Sequence, residues 1–160
     1  MKKYAFIISA GLFFIACNNK SEQPVVEEDT SATTEAHYIW QSSLNDSSGK
    51  LEWFPMQPIS EDSLQPKEVV ALINKNNLES DYYNKVKLEF LKTSNDTVYL
   101  KIPDATYLTQ QMGSSGPMMF LSSVVYTLTG LQGFNYINFE FEEGDHAGPG
   151  TYSRESFRDQ

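Results

Sequence analysis

The chain has 160 residues, of which 40% are hydrophobic, so it is long enough for one ordinary domain with a core and for an additional extended segment. Its formal net charge is −9, with 21 acidic and 12 basic side chains, and this balance disfavours nucleic-acid binding, which depends on Lys and Arg to neutralise phosphates. The same acidity disfavours a folded domain that lies on anionic lipid.

The N-terminus has the pattern of a short secretory signal. Lys2 and Lys3 precede an apolar run, Ala5–Ala16, and Cys17 follows it as the only cysteine of the chain. The run is shorter than the ~20 apolar residues that a membrane-spanning helix needs. The pattern resembles a bacterial lipoprotein signal, in which the cysteine becomes the acylated first residue, although Phe14 stands where that signal usually has Leu. An ordinary signal peptide with an incidental cysteine is the alternative.

We therefore expect residues 1–16 to be removed and lipid on Cys17 to hold the exported protein at a bacterial membrane, on the periplasmic side or the cell surface. Removal of the two signal lysines lowers the net charge from −9 by two, to about −11. Residues 17–36 are rich in Asn, Ser, Thr and Glu, a composition that predicts a flexible acidic tether. The acidic run Glu27–Asp29 is more typical of solvated chain than of a binding site.

Residues 37–160 are predicted to form a single domain that starts with a β-hairpin. His37–Trp40 and Leu51–Phe54 have the composition of two short strands, and polar turn residues lie between them. We expect Pro55 and Pro58 to end the second strand.

A first helix and two strands follow this hairpin. Pro66 suits the first turn of a helix that carries Val69, Leu72 and Ile73 on one face. The turn Ser94–Asp96 then joins two strands in which apolar and polar residues alternate. The apolar positions of these strands are Val86, Leu88, Phe90, Val98, Leu100 and Ile102.

A second helix and a last strand complete the predicted core. Asp104–Met112 is expected to be a short helix or a structured loop, and the second helix begins at Pro117 and ends at Gly130–Gly133. Its apolar stripe consists of Met118, Leu121, Val124, Val125 and Leu128, whereas Ser122, Ser123, Thr127 and Thr129 are expected to lie largely elsewhere. The last strand has Ile137, Phe139 and Phe141 on its apolar side, and Thr151–Phe157 is expected to be an irregular tail or a short edge element.

These patterns predict an α+β fold. The three main strands alternate, so their sheet should have one buried face and one solvent face. The two helices must cover the buried face. The order helix, strand, strand, helix, strand therefore predicts a two-layer sandwich, with two helices on one face of a small mixed sheet, plus the N-terminal hairpin.

Several short segments of this core resemble a known domain. They are Gly113–Gly116 at the entry to the second helix, Val125–Thr129 late in it, Gly133–Phe139 and the closing Gly144. Together they resemble one copy of a GerMN (sporulation and spore germination) domain over residues 66–144. The resemblance implies a non-catalytic protein-interaction module, similar to ring-building domains of secretion and sporulation machinery and often carried by lipoproteins. It implies no catalytic residues and no cofactor.

The loop Gly113–Gly116 also has a second interpretation. A GxxG loop between two helices resembles the loop with which KH domains clamp a nucleic-acid backbone. No Lys or Arg occurs between Lys101 and Arg154, so the loop has no countercharge for phosphate. We therefore expect no nucleic-acid partner.

Two further groups of residues have side chains of the kinds used in catalysis or metal binding. Ser114 and Ser115 are conceivable nucleophiles, but the chain has only two histidines and no G-x-S-x-G pattern. A divalent cation could be held by carboxylates with one imidazole, and the densest such group is Glu142, Glu143, Asp145 and His146. In a continuing strand, however, neighbouring carboxylates point to opposite faces. We therefore expect no catalytic residues and no metal site.

The candidate interaction surface has two parts. Tyr99 and Tyr136 fall on the solvent face of the sheet by parity, where they could contact a partner or be covered by the hairpin or the tail. The loop after the last strand adds polar and aromatic groups, or folds back so that its aromatic residues cover the core. The predicted surface is Tyr99, Tyr136, Asp145, His146, Tyr152 and Arg154.

The expected function is that of a lipid-anchored envelope protein that acts as a non-catalytic interaction or scaffold module. Its partners would be the membrane, through lipid on Cys17, and an envelope protein whose identity the sequence does not indicate. The alternative is an accessory protein that binds or hydrolyses peptidoglycan or another envelope glycan, with Glu140, Asp145 or His146 as polar groups.

Overall fold

The computed structural model describes residues 36–158, so the predictions for the signal, for Cys17 and for the tether up to residue 35 lie outside the described residues. No helix within residues 36–158 is both long enough and apolar enough to cross a bilayer. The strands are β1 (His37–Leu44), β2 (Leu51–Ile59), β3 (Glu89–Ser94), β4 (Thr97–Lys101), β5 (Tyr136–Glu140) and β6 (Gly150–Tyr152). The helices are α1 (Pro66–Leu78) and α2 (Gly116–Leu128), with 3-10 turns at Glu61–Ser63 and Arg154–Phe157 and a π-helical turn at Tyr107–Gln111.

The predicted hairpin is present, but it is longer than expected. β1 and β2 pair antiparallel from His37 opposite Ile59 to Leu44 opposite Leu51. The expectation that two prolines end the second strand is wrong, because β2 continues through Pro55 and Pro58. Proline is tolerated on edge strands and beside bulges. Both strands of a two-stranded sheet are edge strands, and the register of this pair shifts between the partners of Ile39 and Trp40.

The predicted mixed sheet forms from the other four strands, in the order β3, β4, β5, β6. β4 and β5 are parallel, with α2 in the connection between them, and the two outer pairings are antiparallel. One face of the sheet is buried under the helices along its two central strands. Its central residues are Val98, Leu100, Ile137 and Phe139, each at most 1% exposed. The α+β sandwich expected from strand alternation is therefore confirmed.

The first strand of this sheet begins later than its sequence pattern predicts. Val86 and Leu88 are buried as expected, but β3 begins only at Glu89. The reason is a clamp from α1: the Asn74 amide nitrogen donates to the Leu88 carbonyl at 2.8 Å, and the Leu88 N–H donates to the Asn74 side-chain oxygen at 2.9 Å. One amide side chain thus takes the place of a neighbouring strand, and it ties this segment to the helix.

The second helix is buried on two sides, which corrects the expectation that its hydroxyl residues lie away from the packed stripe. Ser122, Ser123 and Thr127 are 0%, 9% and 2% exposed. β1 covers them: the Ser42 N–H donates to the Ser123 hydroxyl at 2.8 Å, and the Trp40 N–H donates to the Thr127 hydroxyl at 2.9 Å. Side-chain oxygens of α2 therefore accept hydrogen bonds from N–H groups of β1, and the hairpin forms an additional layer on α2.

The tail closes one end of the core. β6 pairs with β5, and the 3-10 turn after it buries Phe157 to 4% exposure. The Tyr152 ring stacks on Phe157 with centroids 5.8 Å apart and meets Phe139 edge-on at 5.8 Å. The aromatic residues of the tail thus cover the core, which was one of the two alternatives predicted from the sequence for this segment.

Candidate interaction surface

The face of the sheet opposite the helices is open in the described part of the chain. Tyr136 is 43% exposed, and Tyr99 is half-buried on the neighbouring strand. The hairpin packs on α2 instead of covering these rings. The parity argument therefore placed both tyrosines on the correct face, and the hairpin does not cover them.

Polar groups surround these rings in a regular row that crosses all four strands. The row is Lys92, Tyr99, Asn138 and Thr151, each the registered partner of the next. The Lys92 ammonium lies 4.9 Å from the centroid of the Tyr99 ring, and the Asn138 amide donates to the Thr151 hydroxyl at 2.8 Å. These contacts link side chains of neighbouring strands, so the face offers a surface of mixed aromatic and polar character.

The loop after β5 presents Asp145 and His146 to solvent while its backbone is held in place. The His146 N–H donates to the Thr109 carbonyl at 3.1 Å. Gly144 lies so close to this residue that an added Cβ would be 2.6 Å from the Thr109 Cβ, which explains why glycine occupies the position. These two exposed side chains are therefore carried by a well-anchored loop.

Tyr152 and Arg154, the other two predicted surface residues of this region, make internal contacts. The Tyr152 hydroxyl donates to the Gly148 carbonyl at 2.7 Å, and burial raises the pKa of Tyr152. The Arg154 guanidinium donates to the Thr129 hydroxyl at 2.9 Å and to the Tyr126 carbonyl at 3.0 Å. It also lies 4.9 Å above the Tyr126 ring. Arg154 thus satisfies the C-terminal end of α2, where a cation is favoured by the helix dipole.

The acidic cluster after β5 is arranged differently from the sequence expectation. Because β5 ends at Glu140, the following residues do not alternate, and Glu142 and Glu143 line the same polar pocket of about 170 Å³, together with Asp104. The Thr106 N–H donates to Asp104 at 3.0 Å and lowers the pKa of that carboxyl. No three His, Asp or Glu side chains within residues 36–158 come together as a set of metal ligands.

The sequence of this domain matches a known protein family. A family model described as Germane, sporulation and spore germination, matches residues 38–145. The chain belongs to this family. The match begins in β1, so the Germane domain includes the hairpin as well as residues 66–144, on which the sequence resemblance rested.

The fold of the Germane domain has a counterpart among solved structures. The tandem GerMN domains of the sporulation protein GerM from Bacillus subtilis match with a TM-score of 0.50 and 17% sequence identity. The match covers 76% of this chain and 45% of that chain, so the chain spans less than half of the solved structure. At this identity the likeness shows the fold. No curated protein matches the chain.

Sequence reasoning missed two features of the Germane domain. One is the set of buried hydroxyls that join β1 to α2, because Ser and Thr in a helix are ordinarily read as solvent-facing. The other is a groove of about 450 Å³ whose lining residues come from β1, β2, both helices and the segment after α1. No local pattern marks that groove, since it exists only where these segments meet.

Proposed function

We propose that the protein is a lipid-anchored envelope protein whose Germane domain acts as a non-catalytic interaction module, with the open face of the sheet as its contact surface. Family membership supports the non-catalytic accessory role. The observation that supports the surface most strongly is the exposure of Tyr136, at 43%, beside Tyr99 on a face that the described helices and hairpin leave open. Aromatic rings on such a face suit protein contacts, because one ring contributes a large apolar area while its hydroxyl still forms hydrogen bonds.

The lipid anchor rests on the N-terminal sequence. Cys17 follows an apolar run that is too short to span a bilayer, and a polar acidic segment separates it from β1. Acyl chains contribute about 0.8 kcal/mol for each buried methylene, and stable anchoring takes more than one chain. The anchor would concentrate the domain at the membrane and leave the sheet free to contact a neighbouring protein.

The anchor can be tested by metabolic labelling. We expect labelled palmitate to enter the wild-type chain in cells and not the Cys17→Ser variant. Absence of label from the wild-type chain would refute the anchor without affecting the proposal for the sheet.

The contact surface can be tested with a photo-activated cross-linking amino acid placed singly along the chain. At Tyr136 it would lie on the open face, at His146 on the exposed loop, and at Leu78, which is 73% exposed, at the end of α1. We expect a discrete cross-linked product in intact cells from position 136 and none from position 78. A product from position 146 alone would place the contact on the loop. The same diffuse products from all three positions would refute a specific contact surface.

A further inference from the structure

A groove separate from the open sheet face lies between the C-terminal half of α1, α2 and the hairpin. Its volume, about 450 Å³, falls within the range of about 300–1,000 Å³ that is typical of small-ligand sites. Its apolar wall includes Ile73, Tyr83 and Phe120, which are 4%, 7% and 2% exposed. The groove therefore combines a dry wall with an open side, as sites for amphipathic ligands do.

Four polar groups of the groove are side-chain amides, beside the hydroxyls of Ser80, Ser123 and Thr127. The amides come from the hairpin and from α1: Gln41, Gln57, Asn76 and Asn77. Glu79 is the one acidic residue of the lining, and no Lys, Arg or His is among these described residues. Amides both donate and accept hydrogen bonds, so they match a neutral ligand that carries hydroxyl and carbonyl groups. An anionic ligand would find no countercharge here.

Asn77 supplies the observation that points to a ligand. The residue is 9% exposed and lines the groove. Its amide nitrogen is itself buried in the present side-chain orientation and has no hydrogen-bond partner within the described residues. Buried donors without an acceptor are rare in folded proteins because the missing bond is not replaced by water. Rotation about χ2 of Asn77, a torsion with a broad range of allowed angles, would turn this donor toward a carbonyl in the groove.

The groove is poorly suited to a peptide that would bind as an additional β-strand beside β2. β2 is an edge strand of the two-stranded sheet, and Pro55 and Pro58 remove two backbone donors from it. Peptides that extend a sheet depend on such main-chain donors and acceptors along the edge. The side-chain amides and the apolar wall of the groove remain available to a ligand.

We propose that this groove binds an N-acetylated amino sugar of a glycan, and that Asn77 recognises its acetamido group. The acetamido carbonyl accepts from the Asn77 amide nitrogen, and its methyl group packs on the apolar wall. The ring hydroxyls bond to the amides of Gln41 and Gln57, which lie on the hairpin side of the groove. This site goes beyond the proposed protein contact and does not depend on it.

The test is a titration of the full chain, purified in mild detergent, with three trisaccharides. Chitotriose carries acetamido groups, its deacetylated form carries ammonium groups, and cellotriose carries only hydroxyls. Binding is followed by tryptophan fluorescence, because both tryptophans, Trp40 and Trp53, lie in the hairpin and Trp40 lines the groove. We expect chitotriose to bind at least about tenfold more tightly than cellotriose, the factor that one hydrogen bond of about 1.4 kcal/mol supplies.

Variants separate recognition from a structural role. Asn77→Leu keeps the approximate size of the side chain and removes the unpartnered donor, so it should weaken chitotriose binding about tenfold while the melting temperature stays equal or rises. The matched control is Leu78→Ala, an exposed position outside the groove lining that should leave binding unchanged.

Three results would overturn the proposal. They are equal binding of chitotriose and cellotriose, tighter binding of the deacetylated sugar through Glu79, and unchanged chitotriose binding by Asn77→Leu. Binding of an acetylated alanine tripeptide in place of the sugars would make the occupant a peptide and would equally refute it. The cross-linking from position 136 should be the same in Asn77→Leu, so failure of this site and failure of the sheet contact are distinguishable.

Discussion

Removal of the Ser123 hydroxyl should loosen the N-terminal hairpin from α2. The Ser42 N–H, on a residue that is 2% exposed, donates to this hydroxyl at 2.8 Å and would lose its acceptor in Ser123→Ala. The Ser123 hydroxyl itself donates to the Met119 carbonyl at 2.7 Å, but that carbonyl also accepts from Ser42 at 2.8 Å and from Ser122 at 3.1 Å. The substitution therefore leaves one buried group unsatisfied, the Ser42 N–H, at a cost of about 1–3 kcal/mol.

This loss is large enough to measure by urea unfolding. A domain of this size is typically stable by about 5–15 kcal/mol, and with a urea slope of about 1–3 kcal/mol per molar the midpoint should fall by roughly 1 M. Tryptophan fluorescence is a suitable probe because both tryptophans, Trp40 and Trp53, lie in the hairpin. Amide hydrogen exchange adds a local measurement, since the Ser42 amide should lose protection in the variant.

The matched control is Ser43→Ala, on the next residue of β1, whose side chain is exposed. Its effect should stay within about 0.5 kcal/mol. If Ser123→Ala lowers the free energy of unfolding by no more than this control does, or if the Ser42 amide keeps its protection, then the hydroxyls of α2 do not hold the hairpin and the reasoning is wrong.

Three further predictions concern the clamp, a buried tyrosine and a crowded glycine. Asn74→Ala should lower the free energy of unfolding in urea by about 1–3 kcal/mol, because both backbone groups of Leu88 lose their partner; a loss below 0.5 kcal/mol would contradict the clamp. Burial, and secondarily the charge of Tyr82, raises the pKa of Tyr83 to about 12. The free energy of unfolding should therefore be unaffected by this group below about pH 10 and should fall as the pH rises toward 12, by up to about 3 kcal/mol. Unfolding measured at pH 8 and pH 11 should show about half of this loss, about 1.4 kcal/mol, in the wild-type chain and a smaller one in Tyr83→Phe, and equal losses would contradict it. Gly144→Ala should lower the free energy of unfolding in urea by about 1–3 kcal/mol, because the new Cβ would lie 2.6 Å from a side chain of the π-helical turn. Gly148→Ala meets only the flexible end of a glutamate at 3.4 Å and should be nearly neutral in the same urea assay.

Much of the sheet could be predicted from the sequence because its signals are local. Val98 and Leu100 alternate with polar residues and are both 0% exposed, as the pattern requires. The turn between β3 and β4 lies where its polar residues indicate, with Asn95 at a φ of 53°, a conformation that asparagine tolerates well. In these cases the residue type and its immediate neighbours decide the structure.

The candidate surface was only partly predictable. Parity placed Tyr99 and Tyr136 on the open face, because side chains alternate strictly along a paired strand. The same reasoning gave no information on Tyr152 and Arg154, whose polar groups bond to Gly148 and to the end of α2. Polar and aromatic side chains in a loop indicate binding or internal contacts equally well until their neighbours are known.

By itself, the sequence determined the class of the fold, the positions of both helices and the buried face of the sheet, since the apolar period of each segment states which side must avoid water. Only the tertiary structure decided that α2 is buried on two sides and that a groove lies beside Asn77. The bond from Ser42 to Ser123 joins residues 81 positions apart, and a serine at either position is equally compatible with solvent. Whether a polar side chain contacts water or another chain segment depends on packing between elements. The sequence pattern of a single element does not predict that packing.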